Sequence, residues 1–134
     1  MIINSHGLKP KAPIQRTAEQ IRTFVRDIEA IYLMDRPTNC LVERRTVERT
    51  SVTLPVGITL LDENHQPQHY CYEAISRDIS AKGIGLVTTS PISNRFVQLK
   101  IEPCRHEPFE VIAKVVYCND LGYYFQIGCE FVLG

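Results

Sequence analysis

Neither sign of charge prevails in this chain: fifteen Lys and Arg offset fifteen Asp and Glu over 134 residues. Duplex nucleic acid is held by neutralising many phosphates, so this balance argues against a duplex binder. It leaves room for a small anionic ligand, which needs only a few local cations. Long apolar runs are also missing. The opening "MIINSHGLKPKAP" has no stretch of signal-peptide length, and no later segment could span a bilayer as a helix. The expectation is a cytoplasmic protein with no membrane association. Cys40, Cys71, Cys104, Cys118 and Cys129 are scattered, odd in number and without a CxxC pair. A disulfide framework is therefore not expected, and the cysteines read as small buried hydrophobes in a reducing compartment. There is no internal repeat and no low-complexity segment.

What is present divides the chain into three parts, within a length that suits one domain. Residues 1–16, with prolines, a glycine and basic residues, read as a flexible lead-in. Residues 17–36 read as an amphipathic helix. Thr17 with Gln20 matches a capping box, and Ile21, Phe24, Val25, Ile28, Ile31 and Tyr32 follow at helical spacing before Arg36 and Pro37. This stripe suits packing on its own domain or a dimerisation surface. From residue 40 to 134 the pattern changes to short β-branched and aromatic runs: "SVTLPVGITLL", "HYCYEAISRDIS", "GIGLVTT", "FVQLKI", "FEVIAKVVY" and "YYFQIGCEFV". Six strands without an intervening helix predict a mainly β, antiparallel barrel or sandwich. "CNDLG" reads as a hairpin turn and "DENHQPQH" as a longer polar loop.

Two clusters carry candidate chemistry. In "RDISAKGIG", Asp78 and Ser80 would share one face of an extended strand, while Arg77 falls on the face of Ile75 and Ile79. That conflict predicts a bulge or a place at the barrel rim. Gly83 and Gly85 permit close backbone approach. On its own the stretch also reads as a turn whose Asp and Ser bond their own backbone. In "ERRTVER", Arg44, Arg45 and Arg49 fall close together with no lysine. Guanidinium groups bind phosphate bidentately and stack on planar bases. The same segment also reads as a solvated linker in which Glu43 and Glu48 pair with the arginines.

Taken together, Arg45-Thr46-Val47-Glu48-Arg49 and Asp78-Ile79-Ser80-Ala81-Lys82-Gly83 resemble the R-x-x-x-R and D-x-S-x-x-G motifs of the PilZ domain family. The resemblance extends over roughly residues 43–132 and includes "LPVGI", "GIGL" and "IGCEFV". It implies a six-stranded antiparallel β-barrel that binds the bacterial second messenger cyclic di-GMP. By that resemblance Arg45 and Arg49 serve phosphates and guanine faces, Asp78 and Ser80 serve guanine edges, and Gly83 allows close approach. Arg44, immediately before the first motif, implies an intercalated ligand dimer, with two ligands per chain. The chain stops at Gly134 without the C-terminal helix many members carry and with no output domain. The expectation is therefore a stand-alone receptor acting on an unidentified protein partner, with the N-terminal helix covering the barrel end or mediating a homodimer.

The same residues bear on other classes of protein. No activated nucleophile, catalytic acid pair or cofactor site is evident, so an enzyme is not expected. A PilZ-like adaptor without ligand binding is the alternative. An RNA-binding barrel would use Tyr70, Tyr72, Tyr123 and Tyr124 for stacking. His65, His69 and Cys71 do not form a recognised zinc spacing, and no metal is expected.

Overall fold

The computed structural model describes residues 13–33 and 49–134. In chain order the elements are α1 (Ala18–Leu33), β1 (Thr50–Ser51), β2 (Pro55–Leu61), β3 (Pro67–Ile79), β4 (Gly83–Thr88), β5 (Phe96–Ile101), β6 (Phe109–Asp120) and β7 (Phe125–Phe131). The strands pair antiparallel in the order β3-β2-β5-β6-β7-β4, and β4 returns to β3. The result is a closed six-stranded barrel, with β1 as a short extra rung on the end of β3. Closure leaves the six strands no free edge.

The first β run divides in two. Between β1 and β2 the chain leaves the ladder, and buried Ser76 of β3 stands in for the missing rungs. Its hydroxyl accepts from the Leu54 amide at 2.8 Å and donates to the Val52 carbonyl. The polar connection between β2 and β3 is shorter than "DENHQPQH" suggests, since β3 starts at Pro67. Asp62 explains why: its carboxylate accepts from the Asn64 and Gln66 amides and closes the turn, with His65 at φ 62°. The other hairpin follows expectation. Gly122 takes φ 101° and donates to the Asp120 side chain, and Leu121 donates to the Tyr124 carbonyl.

Barrel strands turn Val56, Ile58, Leu86, Leu99, Val111 and Ile127 into one core, and α1 adds Ile21, Phe24, Val25 and Ile28 to it. The capping box forms as predicted: Thr17 Oγ1 accepts from the Gln20 amide while Gln20 Oε1 accepts from the Thr17 amide. The helix thus covers one end of the barrel. Phe24 stacks on Phe109 with ring centroids 4.2 Å apart. Tyr32 accepts from the Cys104 amide, Glu29 from the Thr50 hydroxyl, and Asp27 meets His106 at 3.1 Å. Arg16, assigned to the lead-in from sequence, is held in place. It bridges to Leu133, donates to the Glu110 carbonyl at 2.8 Å and lies over the Phe109 ring.

The four described cysteines are free. Burial holds for Cys129 alone, whose thiol is pushed up to about 12 by its apolar surroundings. Cys71 and Cys104 are exposed, because they fall on the outer face of β3 and in the loop after β5. No helix among the described residues is long and apolar enough to cross a membrane.

Candidate functional site

The end of β3 decides the site. Ala74 and Ser76 point inward and Ile75 and Arg77 outward, as simple alternation requires, yet Ile79 is also buried. The strand reconciles these with a register shift against β4: Ser76 faces Leu86, whereas Asp78 faces Gly85. The extra residue is Arg77, so the conflict visible in the sequence is resolved by a bulge, as a bulge permits. Its side chain is thrown to the outer surface next to Asp78.

Asp78 is the centre of the resulting cluster. Its Oδ1 accepts from Arg49 Nη2 at 2.8 Å, and its Oδ2 lies 3.7 Å from Arg77 Nε. Burial raises the pKa of this carboxyl. The Arg49 hydrogen bond and charge, the Arg77 charge and the Gly85 amide outweigh burial and hold it below the ordinary range. In turn, the hydrogen bond to Asp78 raises the Arg49 pKa against a smaller burial effect. Arg49 is positioned by its neighbour: Thr50 is the first residue of β1, pairs with Ile79 and is tied to Glu29 of α1.

Ser80 and Gly83 take other places. The strand ends at Ile79, so Asp78 and Ser80 no longer share a face. Ser80 is only 2% exposed, and its hydroxyl accepts from the Lys82 and Gly83 amides inside the turn. Gly83 lies against the Cys129 carbonyl of β7, where a Cβ would collide with backbone. Both residues therefore shape the turn that carries Asp78. Arg44 and Arg45 lie outside the described residues. Among the described residues, no three His, Cys, Asp or Glu side chains gather to hold a metal ion.

Arg77, read from the sequence only as a conflict, adjoins Asp78, and Tyr117, which the sequence reading passed over, adjoins Arg77. One row across the outer face runs Asp78, Gly85, Gly128, Tyr117, each paired with the next. The two glycines are buried, and neighbouring side chains cover them. The Tyr117 ring fills the space of a Cβ on Gly128, and Arg77 Nη2 would stand 3.1 Å from a Cβ on Gly85. Arg77 Nη2 donates weakly to the Tyr117 hydroxyl at 3.4 Å, and Gln126 abuts the same guanidinium. The spacing of "VVYCNDLG" contained a signal for Tyr117, since counting back from the turn sets it opposite Gly128. Of the tyrosines an RNA-binding barrel would use, Tyr72 packs on the core, Tyr123 and Tyr124 are exposed beside the β6–β7 turn, and the Tyr70 side chain lies outside what the structure describes.

The class that these features define is a small closed antiparallel β-barrel, with an arginine–carboxylate pair on its rim. The model of the PilZ domain family matches residues 43–134, and the chain belongs to that family. None of the curated proteins compared with the chain matches it. Among solved structures it is similar to the inhibitor of motility MotI (DgrA) of Bacillus subtilis, at 24% identity and a TM-score of 0.50. That match covers 67% of this chain and 43% of MotI, so this chain spans less than half of that protein. The PilZ domain of YcgR from Escherichia coli, solved with c-di-GMP, matches at 14% identity and a TM-score of 0.49, covering 67% of this chain and 79% of that one. The K. pneumonia MrkH–c-di-GMP complex matches at 22% identity and a TM-score of 0.45, covering 69% and 46%.

Proposed function

We propose that this protein is a cytoplasmic receptor for cyclic di-GMP, a binding module and not an enzyme. The observation that carries the reading is the Arg49–Asp78 pair on the rim of a PilZ barrel. An ionised carboxylate accepts at two oxygens. With Oδ1 held by Arg49, Oδ2 retains capacity for the N1–H and N2–H₂ donors of a guanine edge. Arg49 and Arg45 supply guanidinium forks for phosphate. Arg44 adds a third cation, which favours an intercalated ligand pair carrying four negative charges. Ser80 and Gly83 support the site by holding its turn.

The output passes to a protein partner through α1. Arg49 and Thr50 are consecutive, and Thr50 is bonded to Glu29, so a ligand that moves Arg49 pulls on the helix. Because the apolar stripe of α1 packs on the barrel, self-association through the helix would use its outer face.

Calorimetric titration with cyclic di-GMP, with GTP as control, tests the reading. Selective binding at two ligands per chain is expected, and saturation at one removes the role given to Arg44. Hydrogen exchange in α1 should change on saturation; unchanged exchange would remove the helix from the output. A folded protein that binds neither nucleotide would favour the alternative adaptor reading, in which Arg49 and Asp78 satisfy only each other.

A further inference from the structure

We infer that His106 is a proton-operated latch, which holds α1 against the end of the barrel and releases it when the imidazole loses its charge. The latch stands apart from the nucleotide reading and joins the loop before β6 to the helix. Nδ1 of His106 lies 2.8 Å from the Glu107 carbonyl of its own loop, and Nε2 lies 3.1 Å from Oδ2 of Asp27 on α1. A backbone carbonyl and a carboxylate both accept and do not donate, so each ring nitrogen has to supply an N–H. A neutral imidazole has one N–H and one lone pair, whereas the imidazolium has two N–H groups. The arrangement is therefore that of the charged ring. Phe24 of α1 meets the ring edge-on, with centroids 5.3 Å apart, and fixes its plane between loop and helix.

Loss of the proton acts on one contact in particular. A neutral ring keeps the shorter bond, which lies within the loop, and gives up the one that crosses to α1. Nε2 then turns a lone pair toward the Asp27 carboxylate, and an attraction becomes a repulsion. Charged groups stand on each side of the ring: Asp27 and Glu19 on α1, Arg16 before the helix, and Arg105 and Glu107 in the loop. Arg16 is committed to the Glu110 carbonyl and the Phe109 ring, while the Asp27 and Glu107 charges favour the protonated imidazole. Release therefore falls on the alkaline side of the ordinary histidine value of 6.5. A histidine beside an exposed carboxylate is commonly a surface pair of little worth. Here the side chain is 24% exposed and packs on a core phenylalanine, and among the described residues it is the one imidazole tying α1 to the barrel. The Glu29–Thr50 and Tyr32–Cys104 bonds lie beyond Asp27 along the helix. Release thus leaves the part of α1 up to Asp27 held by its apolar stripe and by Arg16.

Two measurements on the intact chain test the latch. Nitrogen-15 spectra of the histidine rings, assigned with His106→Gln, should show both His106 nitrogens protonated at pH 5.5 and Nδ1 alone at pH 8.5. Hydrogen-exchange protection of α1, with intrinsic exchange divided out at each pH, should fall about two- to five-fold over the same interval, as suits an ion pair of this exposure. Protection of β5 should hold steady. In His106→Gln the fall should vanish, because the amide carries no charge at either pH. In Asp27→Asn the fall should shrink and the ring should lose its proton at lower pH, a displacement that packing alone would not produce. An unchanged α1 in the parent overturns the latch, as does an equal fall in β5 or a fall that persists in His106→Gln. A neutral ring protonated at Nε2 also overturns it. Should His106→Gln not fold, the ring spectra of the parent and Asp27→Asn decide alone.

Discussion

Asp78 accepts from Arg49 at 2.8 Å, and the residue after Arg49 is bonded to the N-terminal helix through Thr50 and Glu29. The candidate site and the helix therefore meet at two consecutive residues. Changes at Arg49 and at Thr50 have separable consequences. Arg49→Ala should weaken cyclic di-GMP binding by about 1.5–3 kcal/mol, the range for hydrogen bonds to charged groups, as read by calorimetry. Thr50→Val should leave more of the affinity intact while reducing the ligand-induced change in hydrogen exchange of α1.

The same carboxylate makes stability depend on pH. Its folded pKa is depressed, so its contribution is complete above the unfolded value of about 3.9 and is lost as pH falls through the lower folded value. Urea midpoints measured from pH 6 down to pH 3 should fall further for the parent than for Asp78→Asn. Equal slopes would mean the pair contributes nothing to folding.

His106 gives the opposite sign. The Glu107 carbonyl and, against some burial, the Asp27 carboxylate raise its pKa above the ordinary value. Its contribution is complete below about pH 6.5 and fades as pH rises through the folded pKa. The clasp joins α1 to the loop before β6 beside Phe24, but Asp27 is half exposed and the effect should be under about 1 kcal/mol. Denaturant titrations at pH 5.5 and pH 8.5 should differ more for the parent than for Asp27→Asn.

Gly83→Ala tests the turn. A Cβ there would collide with the Cys129 carbonyl, backbone that cannot turn aside. The expected loss is about 1–3 kcal/mol, typical of overpacking, seen as a lowered urea midpoint with weakened binding. A midpoint like the parent's would show that β7 yields at this point.

Phe24→Ala tests whether the helix belongs to the core. Phe24 is buried, stacks on Phe109 and meets the His106 ring edge-on. Phe to Ala changes in cores cost about 3–5 kcal/mol, so thermal unfolding should shift down markedly in a single transition. A separate early transition would mean that α1 melts independently of the barrel.

The features legible in the sequence were those made within a few residues. The Thr17–Gln20 box, the helical stripe and the Gly122 turn depend on local hydrogen bonds and spacing, and all three appear as expected. The outward Arg77 was legible as a conflict, because Ile79 had to be buried, and the bulge is its resolution. Ser80 takes the turn bonds that its sequence also allowed, again for a local reason. Alternation was carried one residue past the end of β3, where the chain had already turned to satisfy its own amides.

Membership of the barrel family and the two motifs were thus written in the order of the amino acids. Which of those residues meet was decided by closure of the barrel. Asp78 faces Gly85 through a local hairpin, but Gly85 reaches Gly128 only because β4 pairs with the last strand, and Arg49 reaches Asp78 only because β1 adds to the end of β3. Strand pairing over such separations is fixed by burying one face of every strand in a common core. The hairpin spacing alone sets Tyr117 opposite Gly128, but no spacing along the chain encodes the pairings between distant strands.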